Sequence, residues 1–204
     1  MARDGIVYVL VPGALAVLFF LLGFWPLGLV FLVLAAFMAF FFRDPRRQPP
    51  SDSNVIVAPA DGRVTRVRPV EDLRESSATV VSIFLSPLDV HINRAPIAGR
   101  ITDVSYTRGK FLMATNQNAS LVNEQNALTI EGERVTVVCK QIAGILARRI
   151  VCWKRAGESV ALGERFGLIK FSSRTDVLLP ASVEVLVAEG DRVKGGTTII
   201  GRMR

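Results

Sequence analysis

The sequence predicts a mainly β domain preceded by an N-terminal hydrophobic helical hairpin suited to a membrane, and three observations carry that expectation. No residue from Ile6 to Phe42 is charged, a run well beyond the roughly 20 residues that span a bilayer core. Past Pro50, short β-branched runs separated by glycine turns take over, the pattern of strands and hairpins. A turn motif also recurs: Ala156-Gly-Glu-Ser-Val160 with Gly163 matches Glu189-Gly-Asp-Arg-Val193 with Gly196.

The apolar run must break. A continuous helix of that length would reach about 55 Å at about 1.5 Å per residue, against a hydrocarbon slab of about 30 Å. The break is written at Gly23-Phe-Trp-Pro-Leu-Gly28, where proline removes a backbone donor and tryptophan favours the interface. Two helices, Val7 to Leu22 and Leu27 to Phe41, then form a hairpin that crosses or dips into one membrane. The domain boundaries expected are 1–43 for this hairpin and 44–204 for the β domain. Arg43, Arg46 and Arg47 follow at once, which by the positive-inside rule puts the C-terminal bulk on the cytoplasmic side of the cell (inner) membrane. A secretory signal peptide fits poorly, because the run is too long and no small-residue cleavage site precedes Arg43.

All but Arg3 and Arg43 of the 25 Lys and Arg lie in residues 44–204, as do all but Asp4 of the 18 Asp and Glu. The β domain is therefore basic, and beside a membrane anchor the matching partner is an anionic membrane surface. Nucleic acid does not fit: the cations are scattered singly and not interleaved with aromatics. Cys139 and Cys152 are too few and too far apart for a zinc knuckle, no ligand-spaced cluster suggests any metal, and a cytoplasmic site needs no disulfide.

Val55-Ile-Val57, Gly62-Arg-Val-Thr-Arg-Val67, Thr79-Val-Val-Ser-Ile-Phe84 and Val135-Thr-Val-Val-Cys139 read as strands. Turn glycines beside acids, followed by alternating apolar positions, describe tight hairpins feeding a small barrel or flattened sandwich. The pattern resembles the barrel-sandwich hybrid of lipoyl and biotinyl domains. Carrier domains of that architecture need a lysine at a hairpin tip, and no such tip is found, so the architecture alone assigns no function.

The chain holds a single histidine, His91, so any imidazole proton transfer near neutral pH involves that residue. A lone histidine is more often structural than catalytic. Its surroundings shift those odds, because several motifs occur in one order: Phe41-Phe-Arg-Asp-Pro45, Ala58-Pro-Ala-Asp-Gly62, Ser86-Pro-Leu-Asp-Val-His-Ile-Asn-Arg-Ala-Pro96, Tyr106 with Gly109-Lys-Phe111, Asn123-Glu-Gln-Asn126 and Phe171-Ser-Ser-Arg-Thr-Asp-Val-Leu-Leu-Pro180. Together, over essentially the whole chain, they resemble the short form of phosphatidylserine decarboxylase, a pyruvoyl-dependent membrane enzyme.

The resemblance implies a self-cleaving proenzyme. In the family a serine hydroxyl attacks the preceding carbonyl, the ester eliminates, and the new amino terminus becomes a pyruvoyl group. Carried onto this sequence, Ser173 is the pyruvoyl precursor, with cleavage between 172 and 173. His91 is the general base and Asp61 its orienting carboxylate. The chemistry is sound: a serine hydroxyl is a poor nucleophile until a positioned imidazole takes its proton, and a carboxylate steadies that imidazole. Asp89, two residues from His91, competes for the orienting role, and Asp61 could simply cap a turn. The self-generated carbonyl would serve as electron sink while phosphatidylserine loses carbon dioxide, leaving phosphatidylethanolamine, with His91 the best available acid to return a proton to carbon. Arg94 and Lys110 are candidates for the substrate phosphate or carboxylate.

Two departures accompany the match. Where the family has glycine before the cleaved serine, this chain has Ser172. Serine carries a Cβ and resists the backbone conformations that expose the scissile carbonyl, so processing is expected to be slow or blocked. The third position of Asn123-Glu-Gln-Asn126 holds Gln125 in place of the family's arginine. Two other function classes stay open on sequence: a membrane-tethered, non-enzymatic lipoyl-like adaptor, and a serine hydrolase, which is disfavoured because no nucleophile-elbow pattern surrounds Ser173. The oligomeric state is open as well, with a homodimer the assembly considered.

Overall fold

A computed structural model describes residues 1–70, 78–113, 119–144, 149–170 and 173–204. The chain divides into two compact units, Met1–Arg46 and Arg47–Arg204.

The first unit is the helical hairpin. A 3-10 turn, Arg3–Gly5, leads into α1, Ile6–Leu21, and after a three-residue break α2 runs Trp25–Phe41. The break, residues 22–24, overlaps the start of the segment marked by the sequence, and α2 begins two residues earlier than expected, taking in Trp25 and Pro26. Gly23 adopts φ +80°, a conformation side chains with a Cβ rarely take, and Pro26 occupies the first turn of α2, where its missing N–H costs nothing. The helices pack through Phe19 stacked on Phe31, with ring centroids 5.4 Å apart, and the Ala2 N–H closes the open end on the Phe42 carbonyl at 2.9 Å. Most of the remaining apolar side chains point outward, Leu21 being 81% exposed. Such a surface suits lipid as its solvent better than water. Among the described residues one helix, Arg3–Leu21, is long and apolar enough to cross a membrane.

The second unit is mainly β, a barrel-sandwich-like domain whose principal sheet is curled. Its central strands are β2, Gly62–Val70; β3, Ala78–Leu85; β5, Gly99–Thr107; β6, Gln125–Glu131; β7, Thr136–Ile142; and β11, Ser173–Pro180. Two short strands, β9 at Ser159–Val160 and β13 at Arg192–Val193, complete the order β13-β2-β3-β11-β7-β6-β5-β9. A second sheet, β4-β10-β8, is formed by Ile92–Arg94, Arg165–Ile169 and Ile150–Cys152. A third, β1-β14-β12, is formed by Val55–Val57, Ile199–Met203 and Val183–Val185. All pairings between these named strands are antiparallel. A short helix, α3, spans Ala119–Val122.

Alternation explains where the core lies. Val81, Ile83 and Leu85 of β3 share the inner face with Val177 and Leu179 of β11, Val137 and Cys139 of β7, and Leu128 and Ile130 of β6, all fully buried. β11 lies between β3 and β7, each of its first eight residues opposite a residue of β3 from Leu85 to Ala78. Gly62 is required where β2 begins: its φ is +151°, and any Cβ there would collide with the Phe84 carbonyl oxygen.

Candidate active site

The inner face of the sheet changes character along its strands. Toward the Pro180 end of β11 it is apolar, but the same inward positions at the other end carry Thr175 and Ser173 on β11, Gln141 on β7 and Asn126 on β6. Register makes this inevitable: Thr175 lies opposite Gln141, and Gln141 opposite Asn126, so the three share one face. All four side chains are buried.

They are joined to the second sheet by a chain of neutral hydrogen bonds. Asn126 Nδ2 donates to Gln141 Oε1 at 3.0 Å, Gln141 Nε2 to Asn93 Oδ1 at 2.8 Å, and Asn93 Nδ2 to Thr175 Oγ1 at 3.2 Å. Asn93 belongs to β4, two residues after His91, while Thr175 lies two residues after Ser173. By strand alternation, the Asn93–Thr175 bond therefore ties together the two segments that carry the histidine and the serine. β10 supports the same placement: its last N–H, from Ile169, donates to the His91 carbonyl at 3.3 Å, only four residues before Ser173. Ser173 itself is fully buried at the start of β11, opposite Leu85, and its hydroxyl has no hydrogen-bond partner among the described residues. Ser172 and Phe171 lie outside the described residues.

His91 is buried, and its Nδ1 stands 2.9 Å from the Asp89 carbonyl oxygen. A carbonyl only accepts, so Nδ1 carries the proton of the neutral ring and Nε2 holds the basic lone pair. The Asp89 carboxylate is directed elsewhere: Oδ2 accepts the Ser86 N–H at 2.9 Å and Oδ1 pairs with Arg192 at 2.9 Å. Asp89 thus orients the ring through its backbone, not its side chain. Asp61 accepts from Arg47 Nη2 on Oδ2 at 2.7 Å and from the Gly195 N–H on Oδ1 at 2.8 Å. That joins the Ala-Asp-Gly turn to the segment that follows the helical hairpin and to the loop before β14.

The two candidate substrate cations differ. Arg94 is buried on β4 and donates from Nη1 to the Gly163 carbonyl at 3.1 Å, an intramolecular use of its guanidinium. Lys110 is exposed, its backbone bridged in parallel to Asn123. Asn123 is fixed on both sides, accepting from the Leu112 N–H at 2.9 Å and donating to the Leu112 and Ala143 carbonyls at 2.9 and 2.8 Å.

On the opposite face of β11, Arg174 and Asp176 form a buried ion pair, with Nε 2.9 Å from Oδ1 and Nη2 donating to Oδ2 at 3.1 Å. Burial pulls the Arg174 guanidinium below its ordinary pKa, and the Asp176 charge works against that fall. Burial likewise raises the thiols of Cys139 and Cys152. Among the described residues no group of three or more His, Cys, Asp or Glu is placed to hold a metal ion.

A family model described as phosphatidylserine decarboxylase matches residues 34–201. The chain belongs to the phosphatidylserine decarboxylase family. Among the relatives that carry the name phosphatidylserine decarboxylase proenzyme, three span nearly the whole chain as follows. The one from Symbiobacterium thermophilum is 50% identical over 100% of this chain and 95% of its own length. That from Carboxydothermus hydrogenoformans is 45% identical over 100% and 97%, and that from Geotalea uraniireducens 42% identical over 98% and 95%. Membership in the phosphatidylserine decarboxylase family makes the chain a carboxy-lyase of the self-processing class.

The Gln141, Asn126, Asn93 and Thr175 chain was missed as a site by reading residues singly. Its signal was nonetheless in the pattern. Each of Ser173, Thr175, Gln141 and Asn126 continues, at spacing two, an inward series that is apolar further along the same strand.

Proposed function

We propose that this chain decarboxylates phosphatidylserine to phosphatidylethanolamine at a membrane surface, using a pyruvoyl group that it makes from Ser173. The observation that carries the reading is the buried Ser173 hydroxyl, two residues from a Thr175 that is hydrogen-bonded to Asn93, which is itself two residues from the only histidine. A buried hydroxyl without a described partner fits a group meant to react.

Ser173 Oγ attacks the carbonyl of residue 172, passing its proton to His91 Nε2, the nitrogen left basic by the Asp89 carbonyl at Nδ1. The peptide nitrogen of Ser173 leaves as the ester forms; loss of the Ser173 α-proton then expels the carboxylate of residue 172 and leaves a dehydroalanine at 173, whose imine form takes up water and releases ammonia to give the pyruvoyl group. When present, the pyruvoyl carbonyl supplies an electron sink for the pair released with carbon dioxide. The residues that would hold it are those of β11 and β4: the backbone of β11 stays paired with β3 and β7 after cleavage, and the Asn93 to Thr175 bond maintains the gap to His91. His91 then delivers a proton to carbon. Asp61, the carboxylate assigned to this histidine, contributes as a fixed charge held by Arg47 and Gly195 that anchors the turn, while the ring itself is oriented by the Asp89 carbonyl. Arg94 and Lys110 are assigned to the substrate phosphate or carboxylate, the exposed Lys110 being the better placed to meet a headgroup.

Ser172 slows or blocks the first step, because a Cβ at the acyl position narrows the backbone conformations available. The catalytic domain faces the cytoplasm at the inner membrane and meets anionic lipid. Assembly as a homodimer belongs to the same reading.

The test uses the full chain in mixed micelles or vesicles containing phosphatidylserine. Ser172→Gly is expected to form phosphatidylethanolamine and carbon dioxide, and Ser172→Gly with His91→Ala to form neither. Product from the double variant at the rate of Ser172→Gly would refute the role of His91. No product from Ser172→Gly despite complete cleavage would refute the substrate.

A further inference from the structure

The exposed apolar side chains of the β unit are not spread evenly. Among its described residues the large ones are Leu88, Tyr106, Phe111, Met113, Leu121, Trp153 and Leu186. Register places the first five at one end of the curled sheet. Moving across it, that end is formed by the turn after β3, where Leu88 lies, the start of β11 at Ser173, Ala143 just past β7, Glu124 just before β6, and Thr107 closing β5. Phe111 and Met113 lie just beyond β5, and the Lys110–Leu112 segment runs beside Val122–Glu124 through the Lys110 N–H to Val122 carbonyl bond at 2.6 Å and the two-way Leu112–Asn123 contacts. Leu121, on α3, is 78% exposed and Met113 60%.

The same end is cationic. Arg108, Lys110 and Arg149 are exposed there, the last beside Lys170 through a backbone hydrogen bond. Of the acids at this end, Asp89 pairs with Arg192 and Glu124 lies beside the Tyr106 phenol. The far end, at the β11 to β12 turn around Ser182 and at Glu131 to Arg134, carries no large exposed apolar side chain among the described residues.

We propose that this rim, with Leu121, Met113 and Phe111 as its apolar tip and Arg108, Lys110 and Arg149 as its cations, rests in the interface of a bilayer containing anionic lipid and presents the Ser173 end of the domain to the headgroup layer. The proposal deepens the lipid-decarboxylase reading and rests on it for the identity of the substrate. A bilayer fits better than a protein partner. A few separated apolar side chains accompanied by cations suit the boundary between headgroups and acyl chains. The rim is a contact of the β domain itself, carried by Arg108, Lys110, Phe111, Met113, Leu121 and Arg149, separate in sequence from the hydrophobic hairpin.

The experiment needs no catalytic activity, so its failure is distinguishable from failure of the decarboxylase reading. The full chain, with Cys152→Ser to leave only the buried Cys139, is labelled with an environment-sensitive fluorophore at Leu121→Cys, or at Ser182→Cys as the control. It is reconstituted in phosphatidylcholine vesicles with or without phosphatidylglycerol, using acyl chains brominated as quenchers. Expected are blue-shifted, quenched emission at 121 that strengthens with phosphatidylglycerol, and water-like emission at 182. Replacing Arg108 and Lys110 by Gln should weaken the phosphatidylglycerol-dependent part by about fivefold per cation. Water-like emission at 121 in both vesicles, as a protein-docking rim would give, overturns the proposal. Equal quenching at 121 and 182 also overturns it, because the domain would then have no preferred face.

Discussion

Gln141 holds the centre of the chain of hydrogen bonds between the strands of His91 and Ser173, and Gln141→Leu removes it with little change of volume. Leucine withdraws the acceptor of Asn126 Nδ2, 3.0 Å away, and the donor to Asn93 Oδ1, 2.8 Å away. Asn126 and Asn93 are buried, so both groups lose their partner where water is excluded. At about 1–3 kcal/mol for each buried polar group left unsatisfied, the loss is about 2–6 kcal/mol. The added apolar surface offsets part of this, leaving about 2–4 kcal/mol. Chemical denaturation of the full chain in detergent measures it. Gln141→Glu keeps an acceptor for Asn126 but opposes a carboxylate to Asn93 Oδ1, and should cost at least as much. In a Ser172→Gly background both variants should also slow self-cleavage under conditions where the protein remains folded, since the Asn93 to Thr175 link would no longer be held. Gln141→Leu with unchanged stability and an unchanged cleavage rate would refute the reasoning.

The Arg174–Asp176 pair gives a contrast: Asp176→Asn leaves a buried cation and should destabilise by about 3–5 kcal/mol, whereas Arg174→Met with Asp176→Leu should fall within about 1–2 kcal/mol of the parent by the same denaturation measurement. Because burial raises both thiols, Cys139 should resist an alkylating reagent at mildly alkaline pH in the folded chain and Cys152 should react slowly, while denaturant makes both fast, as read by mass spectrometry. The Lys154–Glu164 pair, at 2.6 Å, lowers the Glu164 carboxyl and raises the Lys154 ammonium. The Glu164 contribution is present above its unfolded pKa and lost as pH falls through the folded one. The Lys154 contribution is present below its unfolded pKa and lost as pH rises through the folded one. Glu164→Gln should therefore flatten the acid side of a melting-temperature profile slightly, the pair being partly exposed.

Much of the architecture was legible because it depends on local pattern. The uncharged run broken at Gly23 and Pro26 became α1 and α2, and alternation in Thr79–Phe84 and Val135–Cys139 became β3 and β7. Individual site residues were legible where chemistry is rare: a single histidine draws attention wherever it lies. Partnerships were not. Asp61 meets Arg47 and Gly195, the latter far along the chain, and no local rule connects them. The group facing His91 Nδ1 is the backbone of Asp89, and main-chain carbonyls are invisible to a reading that weighs side chains. Gln141 and Asn93 look like ordinary polar strand residues until the register of β7 and the crossing of β4 bring them together.

The central claim is that Ser173 cuts its own chain and keeps the trace of that cut. Mass determination of the full chain and of its Ser172→Gly variant, with sequencing of the small fragment, tests it most directly. The account predicts an intact or slowly cut chain for the former. For the variant it predicts two fragments, the smaller beginning at position 173 with a blocked terminus that carries no free amine. A Ser172→Gly chain that stays whole, or a small fragment with an ordinary serine amine at its start, would contradict it.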